Sequence, residues 1–574
     1  MTQNQTQPAD IERLITWLLL LAGALLYLSF GYTEMAGSDM WWHVAAGREL
    51  VQTGTLWMVD DWSYTALGSE WLNHEWLADL IYYGWTSLFG IEALVYWKWL
   101  VIVACYLLLQ LALARNSGSH LAGFLCAAMA VVIASPFLDV RPHLYSLLFF
   151  SLLLFLLLGR SARLWILALL FVVWVNLHGG FFFGLMALGI LLFPWRELNT
   201  QTLKVAVFTG LGCAAFAVLN PSGIDTFFYP LKYAFDESSP FRTLGEWLPP
   251  SAPGGIQAPL FFYFQWAPLA ALLYALPAVR RRAGGIPWEG LCLTGLTLAM
   301  ALTSRRFIPL FGISLAVLLA PLLGVLLGWL WNYARKTLSG VVLGVFMLAV
   351  AVWRLFPYPL QAAPAFHYLV AEYTYPVDML NFIRANALEG RVFAYYNWGG
   401  YVHWRTDGDL KVYIDGRADT LYDADTYNNY VAVLKHHSDW RQRLEATEPD
   451  FILWPHQRGA GQMKFTTLTK SGKWRPVYQD ATAWLLARSD LALPAAPVRS
   501  EDTPWRNLSA AWGAGRAGQL LPMRERAEQA RQVMPWHRTA CEYVIYGHRR
   551  EGRNAEALNV LRECLGYFPS SHLR

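Results

Sequence analysis

Residues 14–32 read LITWLLLLAGALLYLSFGY, an unbroken apolar run of about the 20 residues that a bilayer-crossing helix needs. The run is too long for the core of a signal peptide and lacks a small-residue cleavage site, so it is expected to remain as an uncleaved anchor. Further apolar runs lie near 91–113, 120–138, 144–159, 164–177, 179–195, 204–220, 259–278, 287–303, 307–331 and 338–356. Together they predict a polytopic α-helical membrane protein of about eleven transmembrane helices, several of them short or interrupted by proline.

Composition points the same way. Of 574 residues, 55% are hydrophobic and 15% charged, too apolar for a set of soluble domains unless much of the surface faces lipid. The net charge of +4 gives no basic field, so nucleic acid is not an expected partner. The 28 Trp and 28 Tyr suit interfacial aromatic belts, and sugar stacking would draw on the same residues. Cys105, Cys126, Cys213 and Cys292 lie inside apolar runs and behave there as small hydrophobes. Cys541 and Cys564 lie in the polar C-terminal segment, where an oxidising compartment would permit a disulfide.

With the N-terminus in the cytoplasm, the cytoplasmic connections carry Arg115, Arg160 and Arg163, Arg196 and Lys204, Arg280 to Arg282, then Arg335 and Lys336. Each is short and basic, which is the positive-inside pattern. It leaves the loop 33–90 and everything after Pro357 outside. The domains expected are therefore a membrane domain, 1–357, that includes the first outer loop; an extracytoplasmic α/β domain, 358–500; and a helical tail, 501–574. Arg141, Arg305 and Arg306 fall at membrane edges on the outer side, against the charge rule. They either snorkel or pair with local carboxylates, or they hold an anionic ligand.

The first outer loop is dense in ionisable and aromatic groups: Asp39-Met40-Trp41-Trp42-His43, Asp60-Asp61-Trp62-Ser63-Tyr64 and Asn73-His74-Glu75-Trp76. The spacing predicts a helix from Asp39 to about Thr53, with Asp39 as its cap, and a second interfacial helix from His74 to Leu88. These would hold Asp39, His43, Asp60, His74 and Glu75 at the membrane surface. The same residues could bind a metal, but no His-Glu-x-x-His spacing is present and no cofactor is named. Arg141-Pro142-His143, Asn176-Leu177-His178-Gly179-Gly180, Asn220-Pro221-Ser222-Gly223 and Ser304-Arg305-Arg306 fall on the same side.

After Pro357 the pattern becomes α/β. Short strands are expected at 391–395, 411–415 and 451–454, closing with a strand or hairpin from Trp474 to Arg488 in a largely parallel sheet. Gly399-Gly400 and Asp415-Gly416-Arg417 follow strands, where ligand contacts or plain turns occur. The segment Ala540 to Pro569 has the spacing of a tetratricopeptide-like helix pair, suited to packing on its neighbour or to a protein partner.

These residues resemble the GT-C superfamily of integral membrane glycosyltransferases, which use sugars on polyprenyl phosphate or diphosphate lipids. The pattern is an aspartate soon after the first transmembrane helix (Asp39), a long first outer loop, a multi-span core and an outer C-terminal domain. Asp39-x-Trp41-Trp42-His43, Asp60-x-x-Ser63-Tyr64, His74-Glu75-Trp76-Leu77, Arg141-Pro142-His143, Asn176-x-His178-Gly179-Gly180 and Asn397-Trp398-Gly399-Gly400-Tyr401 look like a bacterial branch. The resemblance spans residues 10–490, densest in the first 180. It implies Asp39 as the catalytic carboxylate with Asp60 and Glu75 in the same pocket; Arg141, Arg305, Arg306, His143 and His178 would bind the lipid phosphate, and His43 and His74 would contact substrate. Neither the Trp-Trp-Asp-Tyr-Gly signature of oligosaccharyltransferases nor the Asp-Glu pair of protein mannosyltransferases is present. Donor sugar, acceptor (glycan, lipid or protein) and metal dependence are therefore not carried over. The expected location is the bacterial cytoplasmic membrane, with membrane lipids and a polyprenyl-phosphate sugar as partners. The alternatives are a lipid-linked glycan transporter or flippase and a non-catalytic scaffold.

Overall fold

The computed structural model describes residues 8–31, 38–71, 73–159, 162–228, 239–254, 256–331, 338–355, 375–456, 460–494, 504–535 and 537–567. Arg160, Arg335, Lys336, Pro357 and Pro569, on which sequence expectations fall, lie outside the described residues. The chain divides into two compact units. Met1–Thr33 and Tyr96–Phe356 form the first, and Glu34–Val95 and Pro357–Arg574 form the second. The first outer loop, expected with the membrane domain, is thus grouped with the C-terminal residues.

The first unit is helical. Among the described residues, four helices have the length and apolarity to cross a membrane: Ile11–Gly31, Ile91–Ser117, His120–Phe137 and Arg305–Trp329. Six more apolar helices are shorter, at 10–17 residues: His143–Leu157, Leu164–Leu177, Phe181–Leu192, Phe261–Ala275, Trp288–Thr303 and Gly340–Leu355. Lipid offers no hydrophobic drive between helices, so close packing and buried polar contacts must hold them together. Gly290 meets that need: a Cβ there would lie 2.9 Å from Leu318 Cα, so the glycine lets Trp288–Thr303 approach the following helix backbone to backbone. Gln110 bridges helices by accepting from Tyr27 Oη at 2.7 Å and donating to the Leu19 carbonyl at 3.1 Å.

The second unit is built on a five-stranded sheet: β1 Gly390–Ala394, β2 Leu410–Val412, β3 Phe451–Pro455, β4 Trp474–Gln479 and β5 Ala483–Arg488. Its order is β2-β1-β3-β5-β4. The first three strands are parallel and the β4–β5 hairpin joins β3 antiparallel, so the sheet is mixed. Phe451–Trp454 of β3 and Ala483–Ala487 of β5 are apolar and buried without a break, as strands covered on both faces must be.

The free edge of β2 is covered by the first outer loop. Ser63 pairs in parallel with Val412. Val412 N donates to the Trp62 carbonyl at 2.9 Å, and Tyr64 N donates to the Val412 carbonyl at 3.1 Å. An exposed edge is a template for unwanted pairing, and this loop removes it. The helix Asp39–Thr53 forms as its sequence predicts, although Ser38 is the residue at its cap and Asp39 lies in its first turn. Trp41 from this helix is buried among Tyr375, Tyr401 and Trp404, with ring centroids 5.3, 4.7 and 4.7 Å away.

Gly399 and Gly400 open the helix Gly399–Thr406 and serve close packing. A Cβ on Gly400 would sit 2.9 Å from Trp42 Cβ, and one on Gly399 would sit 2.6 Å from Asp415 Cβ. Their role is to let the first-loop helix and the sheet approach each other.

The tail contains two successive helix pairs, Pro504–Arg516 with Leu520–Val533 and Arg538–Arg550 with Asn554–Tyr567. Ser509 Oγ donates to Asp378 Oδ2 at 2.8 Å, and Trp512 stacks on His456 at 4.5 Å, so the tail packs on the sheet domain. A disulfide joins Cys541 and Cys564, 23 residues apart, across the second pair. Closing a loop of that length restricts the unfolded chain by about 3 kcal/mol. Replacing both cysteines with alanine is expected to make the tail the first segment cut in limited proteolysis, with its midpoint of denaturation lowered. An unchanged cleavage pattern would show that the disulfide adds no stability.

Candidate functional site

The sequence-predicted site residues divide between the units. Asp39, His43, Asp60, His74 and Glu75 belong to the second unit, and Arg141, His143, His178, Arg305 and Arg306 to the first.

In the second unit, Asp60 is buried at a turn and accepts from Trp62 N, Ser63 N and Ser63 Oγ at 3.2, 3.2 and 2.6 Å. Arg417 Nη2 donates to Asp60 Oδ1 at 2.7 Å and to Asp415 Oδ2 at 2.7 Å. Tyr422 Oη adds a bond to Asp415 Oδ2 at 2.9 Å. The guanidinium also lies 4.0 Å from the Trp62 ring, which stacks on His403 at 4.1 Å. All three ionic side chains are buried. Burial alone would lower the Arg417 pKa, but Asp415 and Asp60 carry it well above its ordinary value. His403 is held neutral by burial and by the nearby cations Arg417, Arg48 and Lys411. Asp60 is thus an anchor for the Asp415-Gly416-Arg417 turn.

Asp39 is half-buried at the start of its helix and accepts from Ser38 Oγ at 3.0 Å. A Cβ built on Gly416 would lie 3.2 Å from Asp39 Oδ1 and 2.9 Å from Trp42 Nε1. Glycine at 416 therefore gives the carboxylate and the indole room beside the clamped turn. Trp42 Nε1 is buried and has no hydrogen-bond partner among the described residues.

One helical turn beyond Asp39, His43 is fully buried, with Nδ1 2.5 Å from Asp79 Oδ1 and Nε2 3.8 Å from Glu75 Oε2. Asn73 Nδ2 donates to the other Asp79 oxygen at 2.8 Å. Burial pushes the Asp79 carboxyl above its ordinary value, while His43 and Asn73 oppose the shift. His74 Nε2 approaches Glu75 Oε1 at 3.7 Å. Asp79 and His43 thus form a buried hydrogen-bonded pair that fixes the imidazole, and the partly exposed Glu75 lies beyond hydrogen-bond reach of the other ring nitrogen. The sequence reading missed Asp79. Its i+4 spacing from Glu75 on an apolar helix was the available signal.

In the first unit, Arg305 is buried and all five of its guanidinium N–H groups are committed to backbone carbonyls. Nε donates to Leu248 at 3.3 Å, Nη1 to Gly254 and to Ile256 (3.0 Å), and Nη2 to Pro249 and Ala252 at 2.9 and 2.8 Å. It gathers the carbonyls of Leu248, Pro249, Ala252, Gly254 and Ile256 around one side chain, and no donor remains for a phosphate. Arg141 and Arg306 both pair with Glu246, Arg306 at 3.6 Å, and Arg306 lies 3.9 Å from the Trp247 ring. Burial would raise the Glu246 carboxyl, but Arg141 and Arg306 hold it at about 2. Two cations on one carboxylate leave the group net positive.

His143 Nε2 donates to the Phe137 carbonyl at 2.8 Å, while its buried Nδ1 has no partner among the described residues. His178 Nδ1 accepts from Ser146 Oγ at 2.7 Å and Gly180 N at 2.9 Å, which assigns its proton to Nε2. Asn220, which follows the helix Thr200–Phe216, donates from Nδ2 to Oδ1 of Asn176 near the end of the helix Leu164–Leu177 at 3.2 Å. Buried Lys98 also escaped the sequence reading. Among the described residues no group of three or more His, Cys, Asp or Glu side chains is arranged to hold a metal ion.

The Glu246 pairings have a pH signature. The folded-state value of about 2 lies below the ordinary 4.5, so the stabilisation is complete above pH 4.5 and is lost as pH falls toward 2. Unfolding of the full chain in detergent is expected to lose up to about 3 kcal/mol across that window. Glu246→Gln should start lower and respond less over the same interval; identical acid profiles would exclude the ion pairs as a source of stability. No family model matches the chain, and no curated protein matches it.

Proposed function

We propose that the protein is a membrane glycosyltransferase that moves a sugar from a polyprenyl-phosphate-linked donor to an acceptor hydroxyl on a glycan, lipid or protein outside the cytoplasm. The observation that carries this reading is Asp39: a half-buried carboxylate on a rigid helix, beside the Gly416 turn that Arg417 clamps. In this reaction the Asp39 carboxylate takes the acceptor proton as the acceptor oxygen bonds to the anomeric carbon. The bond from that carbon to the phosphate oxygen breaks, and the electron pair leaves on the phosphate. The charge that develops on the leaving phosphate calls for a cation beside it. Arg305 takes no part, because its donors are spent on the chain itself. Asp60 acts through Arg417 as a positioning residue.

The reading includes about eleven spans, with the shorter apolar helices completing the membrane core, and the second unit on the outer face of the bacterial cytoplasmic membrane. The Cys541–Cys564 disulfide supports that side, since such bonds persist where the compartment is oxidising.

The test is sugar transfer by the purified full-length chain from a panel of synthetic polyprenyl-phosphate sugars, beside Asp39→Asn. Wild-type turnover that falls about 10²–10⁴-fold in Asp39→Asn, with folding unchanged, is the expected result. Equal turnover in both removes Asp39 as the base, and no turnover with any donor by well-folded wild type removes the transferase reading.

A further inference from the structure

The apolar segment Ala267–Ala275 gives way at Pro277 to a short helix, Pro277–Arg282, which ends in three consecutive arginines. The chain then reverses through Gly284 and Gly285, whose φ angles of 72° and 119° few other residues adopt, before entering Trp288–Thr303. A cavity of about 330 Å³ opens at this reversal, lined by Ala275, Pro277, Arg280, Arg281, Gly284 and Gly285. No carboxylate lines it, and among the described residues none of the three arginines has an ion pair.

The donors facing this cavity are guanidinium groups. The Gly284 and Gly285 N–H groups are spent on the Arg281 and Arg280 carbonyls at 3.4 and 2.9 Å. Arg281 Nε donates to the Pro277 carbonyl at 3.2 Å, which steadies the side chain while its terminal nitrogens keep their capacity to donate. Arg282 is held apart, 5.4 Å from the Trp329 ring. Leu269, Leu272, Leu273 and Leu276 are exposed along the segment leading into the cavity, and Trp288 and Trp329 lie on the neighbouring helices. Exposed leucines beside tryptophans and arginines describe the level at which acyl chains meet headgroups.

We propose that this cavity binds the phosphate of an anionic phospholipid, with Arg280 and Arg281 on the phosphate oxygens and the adjoining leucines against the acyl chains. The shared chemistry is a phosphate ester on paired guanidiniums. The exposed apolar run beside the cavity favours the lipid over a soluble phosphate. The inference stands apart from the transferase reading, since it uses no residue assigned to that reaction.

The experiment is native mass spectrometry of the full chain in neutral detergent, titrated with phosphatidylglycerol, phosphatidylcholine or inorganic phosphate. One phosphatidylglycerol is expected to be retained about 10–30-fold better than phosphatidylcholine. That preference should vanish in the Arg280→Gln/Arg281→Gln double variant and persist in Arg282→Gln. If the double variant fails to fold, Arg281→Lys serves instead, and about a threefold or greater loss of preference is expected, because lysine lacks the planar fork. Equal retention of the two lipids by wild type, or unchanged preference in the cavity variants, would overturn the proposal. Inorganic phosphate displacing the lipid at stoichiometric concentration would overturn the lipid assignment.

Discussion

Arg417 sits in the interior of the second unit with a carboxylate from each of two distant chain segments, Asp60 from the first outer loop and Asp415 from the turn after β2. A buried charge is tolerated only when its partners are in place, and removing one partner of such a group costs about 3–5 kcal/mol. Loop and sheet therefore cannot be ordered independently. The other contacts follow from that clamp: the parallel pairing of Ser63 with Val412, the stacking of Trp62 on His403, and the bond from Trp71 Nε1 to Thr420 Oγ1 at 3.1 Å. What reads in sequence as a loop between two membrane helices is the missing edge of a distant domain.

This arrangement changes the meaning of several conspicuous residues. Polar groups that look like an active site by density alone differ in how deeply they are buried and in what they hold. Asp60 and Arg305 hold the chain, one by closing an ionic cluster and the other by saturating five carbonyls. Asp39 differs in being half-buried, placed on a helix and given clearance by Gly416. Catalytic groups need this combination of rigid support and partial access, because a positioned base works only within hydrogen-bond reach of its proton.

Local features were legible in the sequence and nonlocal partners were not. The helix from Asp39 to Thr53, the strand near Phe451 and the Trp474 to Arg488 hairpin followed from periodicity and turn chemistry. The sequence neighbours of loop 33–90 are apolar helices, which place it with the membrane domain, whereas the pairing of Ser63 with Val412 leaves no local pattern. The outer arginines were recognised as anomalous, but Glu246, which two of them share, sits in a loop without distinguishing features. Position after a strand suggests turn or ligand roles for Gly399 and Gly400, whereas close approach of Trp42 and Asp415 explains them.

The union of loop and C-terminal domain is tested most directly by hydrogen exchange on the full chain in detergent, comparing wild type with Arg417→Met. The account expects amides of 58–71 and of 390–422 to lose protection together, while the helices of the first unit keep theirs. Loss confined to the immediate surroundings of residue 417, with 58–71 as protected as in wild type, would contradict it.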